Sequence, residues 1–505
     1  MNKTVNIQKD KVDGIRLRVF GKNALLYALG NAGARGGAII LIPLYTHSLS
    51  MKDYGLLITL LITIQIMTTI MSLGTQKGLL RFMKEGEDRN MVGQLFGSTV
   101  VLIIGGGLVV TGLCFGFFLP FLGRLLNTDG IFSFIALSCL AAFFQALFTQ
   151  LTSYFRAKNE GVRFVSANLA AFLFLVLTNV VFLRILGWGV QGALGAMIIT
   201  YGGFWAFLFI SLIMKIRLGF SMDWGKRILR FSFPLLSAML WDLVMDTFAI
   251  YFLGYLGSLE QVAIYSLGYK IAQIAYIALI LPFQLAYEPL VYGHLNSEIN
   301  VVISKLFTYL MMGYLLVSFG IAFFSRPLLS VIAPPTYFSA YKVVFLMLPG
   351  FGFIGVYYIA ESLLGIRNRT SILGLVVSLT TLGSLVLNYF LIPVWGIYGA
   401  ILTFNLTRML TATILMVVGL RIFPIPLEKL RLGVILALFL FLLFLVYALC
   451  GIPSYLYYTV IPITAGTILF LLYSGDFLKS REKEMIRNLL QRIRSRVSMQ
   501  EISAN

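Results

Sequence analysis

The sequence predicts an all-α polytopic membrane protein with fourteen transmembrane helices, and three observations carry that expectation. Of the 505 residues, 59% are hydrophobic and only 12% charged, with a mean hydropathy of +0.91; a soluble chain carries about twice that share of charge. Apolar runs of about 18–25 residues, each long enough to cross a bilayer as a helix, recur from end to end. Lys and Arg concentrate in alternate loops between those runs.

The elements follow in order. Residues 1–22 are polar and basic, and the apolar run after them is long enough to stay as a helix, so no cleavable signal peptide is expected. The apolar segments are 23–46, 55–74, 91–119, 131–153, 164–186, 189–214, 231–256, 262–287, 306–330, 342–365, 370–392, 396–420, 432–450 and 454–473. With both termini in the cytoplasm, 31 of the 39 Lys and Arg lie in cytoplasmic tails and loops, 5 in outside loops, and 3 inside helices. That bias orients the chain. It also accounts for the net charge of +19 without nucleic acid. The tail 474–505 carries Met485, Ile486, Leu489, Leu490 and Ile493 at helical spacing among basic residues. It reads as an amphipathic helix resting on anionic lipid.

An internal repeat organises the segments. "GWGVQGA" at 187–193 and "VWGIYGA" at 394–400 share W-G-x-x-G-A at an offset of 207, in a chain with five tryptophans. "LSMKDYGLL" at 49–57 matches "GSLEQVAIY" at 257–265 more weakly, at an offset of 208. Residues 23–214 and 231–420 therefore read as two six-helix lobes joined by a basic linker, 215–230. Six is even, so both lobes run the same way, related by an axis along the membrane normal. Two such lobes around a central space predict alternating access, with the substrate between them. Segments 432–473 form an appendage.

Function in such a chain concentrates in ionisable groups at membrane depth. Arg35 lies in segment one, Asp242 and Asp246 four residues apart on one face of segment seven, Lys270 in segment eight and Arg408 in segment twelve. Glu361 and Glu288 lie nearer the cytoplasmic ends. A guanidinium at the bilayer centre costs about 2.5–3.5 kcal/mol on insertion scales, so Arg35 requires a reason. Subtracting the offset places Asp242 and Asp246 at the counterpart of the Arg35 site. One reading makes these charges a structural set that neutralises itself. The other makes Arg35, Lys270 and Arg408 a site for a phosphate-bearing anion, which arginine's planar fork suits. Asp242, Asp246 and Glu361 then supply cavity charge or bind a coupling H⁺ or Na⁺. The small residues Gly30, Gly33, Ala34, Gly36 and Gly37 around Arg35 permit either close helix packing or space for a ligand. Cys114, Cys139 and Cys450 fall in apolar runs without metal or disulfide spacing, and His47 and His294 are far apart. No metal site or cofactor is expected.

The residues "RGGAIILIPLYTHSLSMKDYGLL" (35–57), "LEQVAIYSLGYKIAQI" (259–274), "LPFQLAYEPLV" (281–291) and "LNYFLIPVWGIYGAILT" (387–403) carry a resemblance. The chain resembles polysaccharide repeat-unit flippases of the multidrug/oligosaccharidyl-lipid/polysaccharide exporter superfamily, over essentially its whole length. The resemblance implies a cationic central cavity and movement of an undecaprenyl-diphosphate-linked oligosaccharide to the outer leaflet of the bacterial cytoplasmic membrane. It makes polymerases and glycosyltransferases candidate assembly partners. Arg35 matches the position type of an arginine in helix one of related lipid II flippases. Asp242 and Asp246 match no pattern of the family. The runner-up is a multidrug/cation antiporter of the same superfamily, disfavoured by a cationic cavity and two extra helices. A membrane enzyme of lipid-linked sugar metabolism is disfavoured by outside loops of about 3–12 residues.

Overall fold

In hydrocarbon a backbone has no water to bond, so an apolar chain satisfies its N–H and C=O groups within helices. The structure, a computed structural model, describes residues 40–118, 130–214, 216–293, 299–367, 369–448 and 466. Among them every regular element is helical. Helix α1 covers 40–48. It leads into α2 (Met51–Met71), α3 (Thr75–Asp88), α4 (Val92–Leu113), α5 (Ile131–Ala157), α6 (Gly161–Val180) and α7 (Gly189–Ile213). Then come α8 (Met222–Leu256), α9 (Leu259–Ala275), α10 (Leu281–Gly293), α11 (Ile299–Ile332), α12 (Ala340–Ile366), α13 (Thr370–Trp395), α14 (Ile397–Ile422) and α15 (Lys429–Ala448). Eleven described helical runs are long and apolar enough to cross a membrane, and they coincide with the second to twelfth expected segments. The α15 helix covers most of the thirteenth. The fourteenth segment apart from residue 466, the two tails and Arg35 lie outside the described residues.

Two expected loops are partly helical. The loop expected after segment two contains α3, which is amphipathic: Leu79 and Met83 are buried while Lys77, Arg81 and Lys84 face out. Its charges hid from the hydropathy pattern a helix that a 3.6-residue period would show. Helix α8 begins at Met222, inside the stretch 215–230 read as linker, because Trp224 and Ile228 are core residues, 2% and 0% exposed. Arg227 binds Glu85 of α3 at 2.7 Å, with its guanidinium 4.6 Å over the Trp224 ring. Just upstream, Gly219 donates its N–H to the Gly93 carbonyl (3.3 Å), and Ser221 and Ser98 exchange hydrogen bonds.

Matched local structure recurs at the two sequence offsets. Ser50 caps α2 by accepting the Asp53 N–H (3.1 Å), and Ser258, 208 residues on, caps α9 by accepting the Gln261 N–H (3.3 Å). Gly189 opens α7 with φ +56°, and Gly396, 207 residues on, precedes α14 with φ +53°. Helix pairings recur as well. Helix α5 packs on α2, α4 and α7, and α12 packs on α9, α11 and α14. Small residues allow the closest approaches. A Cβ on Gly55 of α2 would collide with the Leu259 carbonyl of α9, and one on Gly268 of α9 would collide with Val343 of α12. The crossing of α2 over α9 thereby closes the structure near Met51 and Leu259, with Tyr54 and Tyr337 packed edge to face beside it at 5.8 Å.

A left-handed φ costs an L-residue about 1–2 kcal/mol. Gly189→Ala and Gly396→Ala are each expected to destabilise the protein by that amount in thermal unfolding of detergent-purified material. Gly203→Ala, within α7 and with open space beside it, is expected to be neutral or stabilising. Equal tolerance at all three positions would contradict the shared role of the two motif glycines.

Candidate functional site

Polar groups at membrane depth face a cavity, a partner or the cost of neither. Two adjoining cavities collect them here. The larger, about 730 Å³, is lined by residues of α2, α8, α9, α10, α12, α13 and α14, with Tyr276 and Ile277 of the turn after α9. Glu361 of α12 and Arg408 of α14 both line it, so two of the residues singled out from the sequence share one space. Tyr357, Tyr358 and Tyr276 stand with them, and the Tyr276 and Tyr358 hydroxyls lie 3.3 Å apart. Tyr276 opens a π-helical turn, Tyr276–Ile280, that joins α9 to α10; such turns widen a helix locally and recur at functional positions. The Arg408 guanidinium lies 5.8 Å from the Phe404 ring centre on its own helix.

The smaller cavity, about 300 Å³, lies between α2, α8 and α9 and contains Lys270. Gln65, Leu243, Tyr269 and Gln273 line both cavities and form the junction between them. Lys270 forms no ion pair or hydrogen bond with a described residue, so its ammonium is available to an anion in that space.

The walls of the smaller cavity follow the repeat. Gln65 on α2 corresponds to Gln273 on α9, and Ile62 to Lys270, each pair 208 residues apart. Leu61 corresponds to Tyr269 and Ile58 to Ser266 at the same offset. Every position that α2 contributes is matched by one from α9. One wall is thus apolar except for its glutamine, and the other carries a hydroxyl, a phenol and an ammonium. The third wall is α8, through Leu243, Thr247 and Ile250.

Asp242 and Asp246 lie in α8 beside these lining positions, one turn apart as expected; their side chains, and that of Glu288, lie outside the described residues. Among the predicted residues, the structure brings Lys270, Glu361 and Arg408 to one continuous region. The sequence reading passed over Gln65, Gln273 and the tyrosines, because neutral polar residues do not stand out in a search for charge. The dipeptide Gln-Ile, repeated at 65–66 and 273–274, was the signal available. The site offers two cations, one carboxylate, carboxamides and phenol faces, which suits binding and enclosing a large polar anion.

A family model described as polysaccharide biosynthesis protein matches residues 20–291. No curated protein matches the chain. Among solved structures, the chain is similar to the lipid II flippase MurJ in an inward closed conformation, with a TM-score of 0.71 at 12% identity over 90% of this chain and 100% of that one. It is similar to a multidrug resistance MATE family transporter of the MOP superfamily in an inward-facing conformation, with a TM-score of 0.58 at 15% identity over 81% and 95% of the two chains. A MATE structure in the straight conformation gives 0.54 at 15% identity over 83% and 96%. At these identities the likeness is one of fold, and it is the fold of a multi-pass membrane protein.

The geometry sets an accessibility test. In a protein whose Cys114, Cys139 and Cys450 are replaced by alanine, Gln65→Cys, Lys270→Cys and Gln273→Cys are each expected to react with a charged maleimide in detergent. Leu60→Cys, at a position 1% exposed within α2, is expected to stay unreactive. Protection of all four would mean that the cavities admit no water.

Proposed function

We propose a function from one premise: the chain belongs to the polysaccharide biosynthesis protein family, whose model spans more than half of it. The protein is a flippase for a lipid-linked saccharide. Its cargo is an undecaprenyl-diphosphate-linked oligosaccharide repeat unit, a precursor of O-antigen, capsule or exopolysaccharide. It carries that unit from the cytoplasmic to the outer leaflet of the bacterial cytoplasmic membrane. The observation that carries this reading is the pair of adjoining cavities holding Lys270, Glu361 and Arg408 at membrane depth. A sugar diphosphate cannot enter hydrocarbon unaided, since each unpaired polar group costs about 2–7 kcal/mol. A polar cavity takes the headgroup while the prenyl chain stays in lipid.

The proposed architecture has fourteen transmembrane helices with both termini in the cytoplasm, two six-helix lobes in parallel repeat, and two further helices. The shared caps, the shared glycine conformations and the matched helix pairings support the two lobes. Lobes that rock about the α2–α9 crossing would expose the cavities to each side in turn. Arg35 is proposed to join Lys270 and Arg408 on the diphosphate. In the register fixed by Ser50 and Ser258, position 35 corresponds to position 243, and Leu243 lines both cavities. Asp242 and Asp246 are proposed to bind a coupling H⁺ or Na⁺, whose arrival changes the charge beside the cavity and biases the lobes. Polymerases and glycosyltransferases of the same polysaccharide are the proposed assembly partners.

Arg35→Ala is expected to abolish translocation while leaving expression and thermal stability intact. The readout is surface polysaccharide in a strain lacking the native gene, and normal polysaccharide would remove Arg35 from the site. Asp242→Asn or Asp246→Asn is expected to shift the pH or Na⁺ dependence of transport in proteoliposomes. An unchanged dependence in both variants would remove the aspartates from coupling.

A further inference from the structure

Gln65 and Gln273 are the one polar pair that the repeat keeps on both walls of the smaller cavity, and both also line the larger one. Neither carboxamide hydrogen-bonds a described residue. A group with two N–H donors and a carbonyl acceptor at membrane depth is costly to leave unmatched, so this pair is placed to bond whatever fills the junction. Its chemistry is specific. Carboxamides are neutral, so they neither attract a phosphate as a cation does nor repel it as a carboxylate does. They match groups that both donate and accept, which are the hydroxyl and acetamido groups of a sugar. Lys270 sits three residues before Gln273, on the same face of α9. A phosphate held by Lys270 would place the adjoining sugar beside the glutamines, with the Tyr269 ring at the same junction as an apolar surface for a pyranose face.

We propose that Gln65 and Gln273 form a glycan-reading clamp, two repeat-related carboxamides at the junction of the cavities that hydrogen-bond the diphosphate-proximal sugar of the cargo. The inference rests on the lipid-linked-saccharide reading above and adds to it the residues that distinguish a sugar-bearing lipid from a bare one. Selection arises from matched hydrogen bonds: a site built around a polar group loses most when that group is missing.

The test uses the full-length protein in detergent and two probes, undecaprenyl diphosphate and undecaprenyl diphosphate carrying one N-acetylhexosamine. The unaltered protein is expected to bind the sugar-bearing probe more tightly. Gln65→Leu and Gln273→Leu are each expected to lose about tenfold in affinity for it, with affinity for the bare lipid unchanged. Lys270→Met is expected to weaken both probes alike. Retained binding of the bare lipid shows that a variant is folded. Where a leucine variant does not fold, Gln65→Asn or Gln273→Asn must give the same selective loss in smaller degree. Glutamine variants that weaken both probes equally, or neither, overturn the clamp. Equal binding of the two probes by the unaltered protein overturns the clamp alone, whereas binding of neither overturns the flippase reading and the clamp with it.

Discussion

The fold turns on a close approach of two backbones. At residue 55 there is no room for a side chain, because the Leu259 carbonyl occupies the place where one would begin. Helices α2 and α9 meet there, α2 capped by Ser50 five residues before the contact and α9 by Ser258 immediately before it. The seam closes the Met51 end, and past it the same two helices diverge enough to leave the smaller cavity between them. Residues facing that cavity lie at and beyond Ile58 on α2 and Ser266 on α9. A larger residue at 55 would push the helices apart at the one place where they must touch. The cavities, their polar lining and any alternation between their ends all depend on this contact.

The sequence carried the helices and part of the site. Segments two to twelve were legible because hydrocarbon leaves a spanning chain few options, and apolar length is then nearly sufficient evidence. The repeat was legible because Trp188 and Trp395 are rare residues in a constrained turn. What escaped was whatever hydropathy does not register. Helix α3 is polar on one face. The first turns of α8 are anchored by Trp224 rather than by an apolar run. The π-helical turn at Tyr276 leaves the hydrophobic pattern unchanged while rotating the side chains that follow it. Lys270, Glu361 and Arg408 could be named from the sequence because charge in a membrane is conspicuous, but their convergence required three helices far apart in the chain. Gln65 and Gln273 were invisible to a search for charge, and only the repeated Gln-Ile dipeptide marked them in the sequence.

The two walls of the smaller cavity differ in a definite way. Gln65 and Gln273 occupy matched positions, whereas Ile62 is matched by Lys270 and Leu61 by Tyr269 at the same offset. Matched positions therefore hold an asymmetric lining, with charge and phenol on the α9 wall and, apart from Gln65, apolar surface on the α2 wall. The matched positions give the cavity its two walls, and the residues on the α9 wall carry its charge and hydroxyls. A cargo that is itself asymmetric, with a diphosphate at one end of its headgroup and neutral sugar beyond it, fits such a lining better than it fits two identical walls.

The attachment of α8 has a mechanical consequence. Its first turns are clamped: Arg227 is bound to Glu85 and stacked on Trp224, and the segment before them is tied to α4 through Gly93 and Ser98. Its far end, near Leu256, runs directly into α9 at the seam. The helix is thus a beam fixed at both ends to parts that would have to move relative to each other. Rigid displacement of either end is resisted by the whole beam, so bending must concentrate where the backbone ladder is already interrupted. Pro234, about two turns above the clamp and without an N–H to donate, is that place. The flexure of the molecule would then be set at a single residue, outside both cavities.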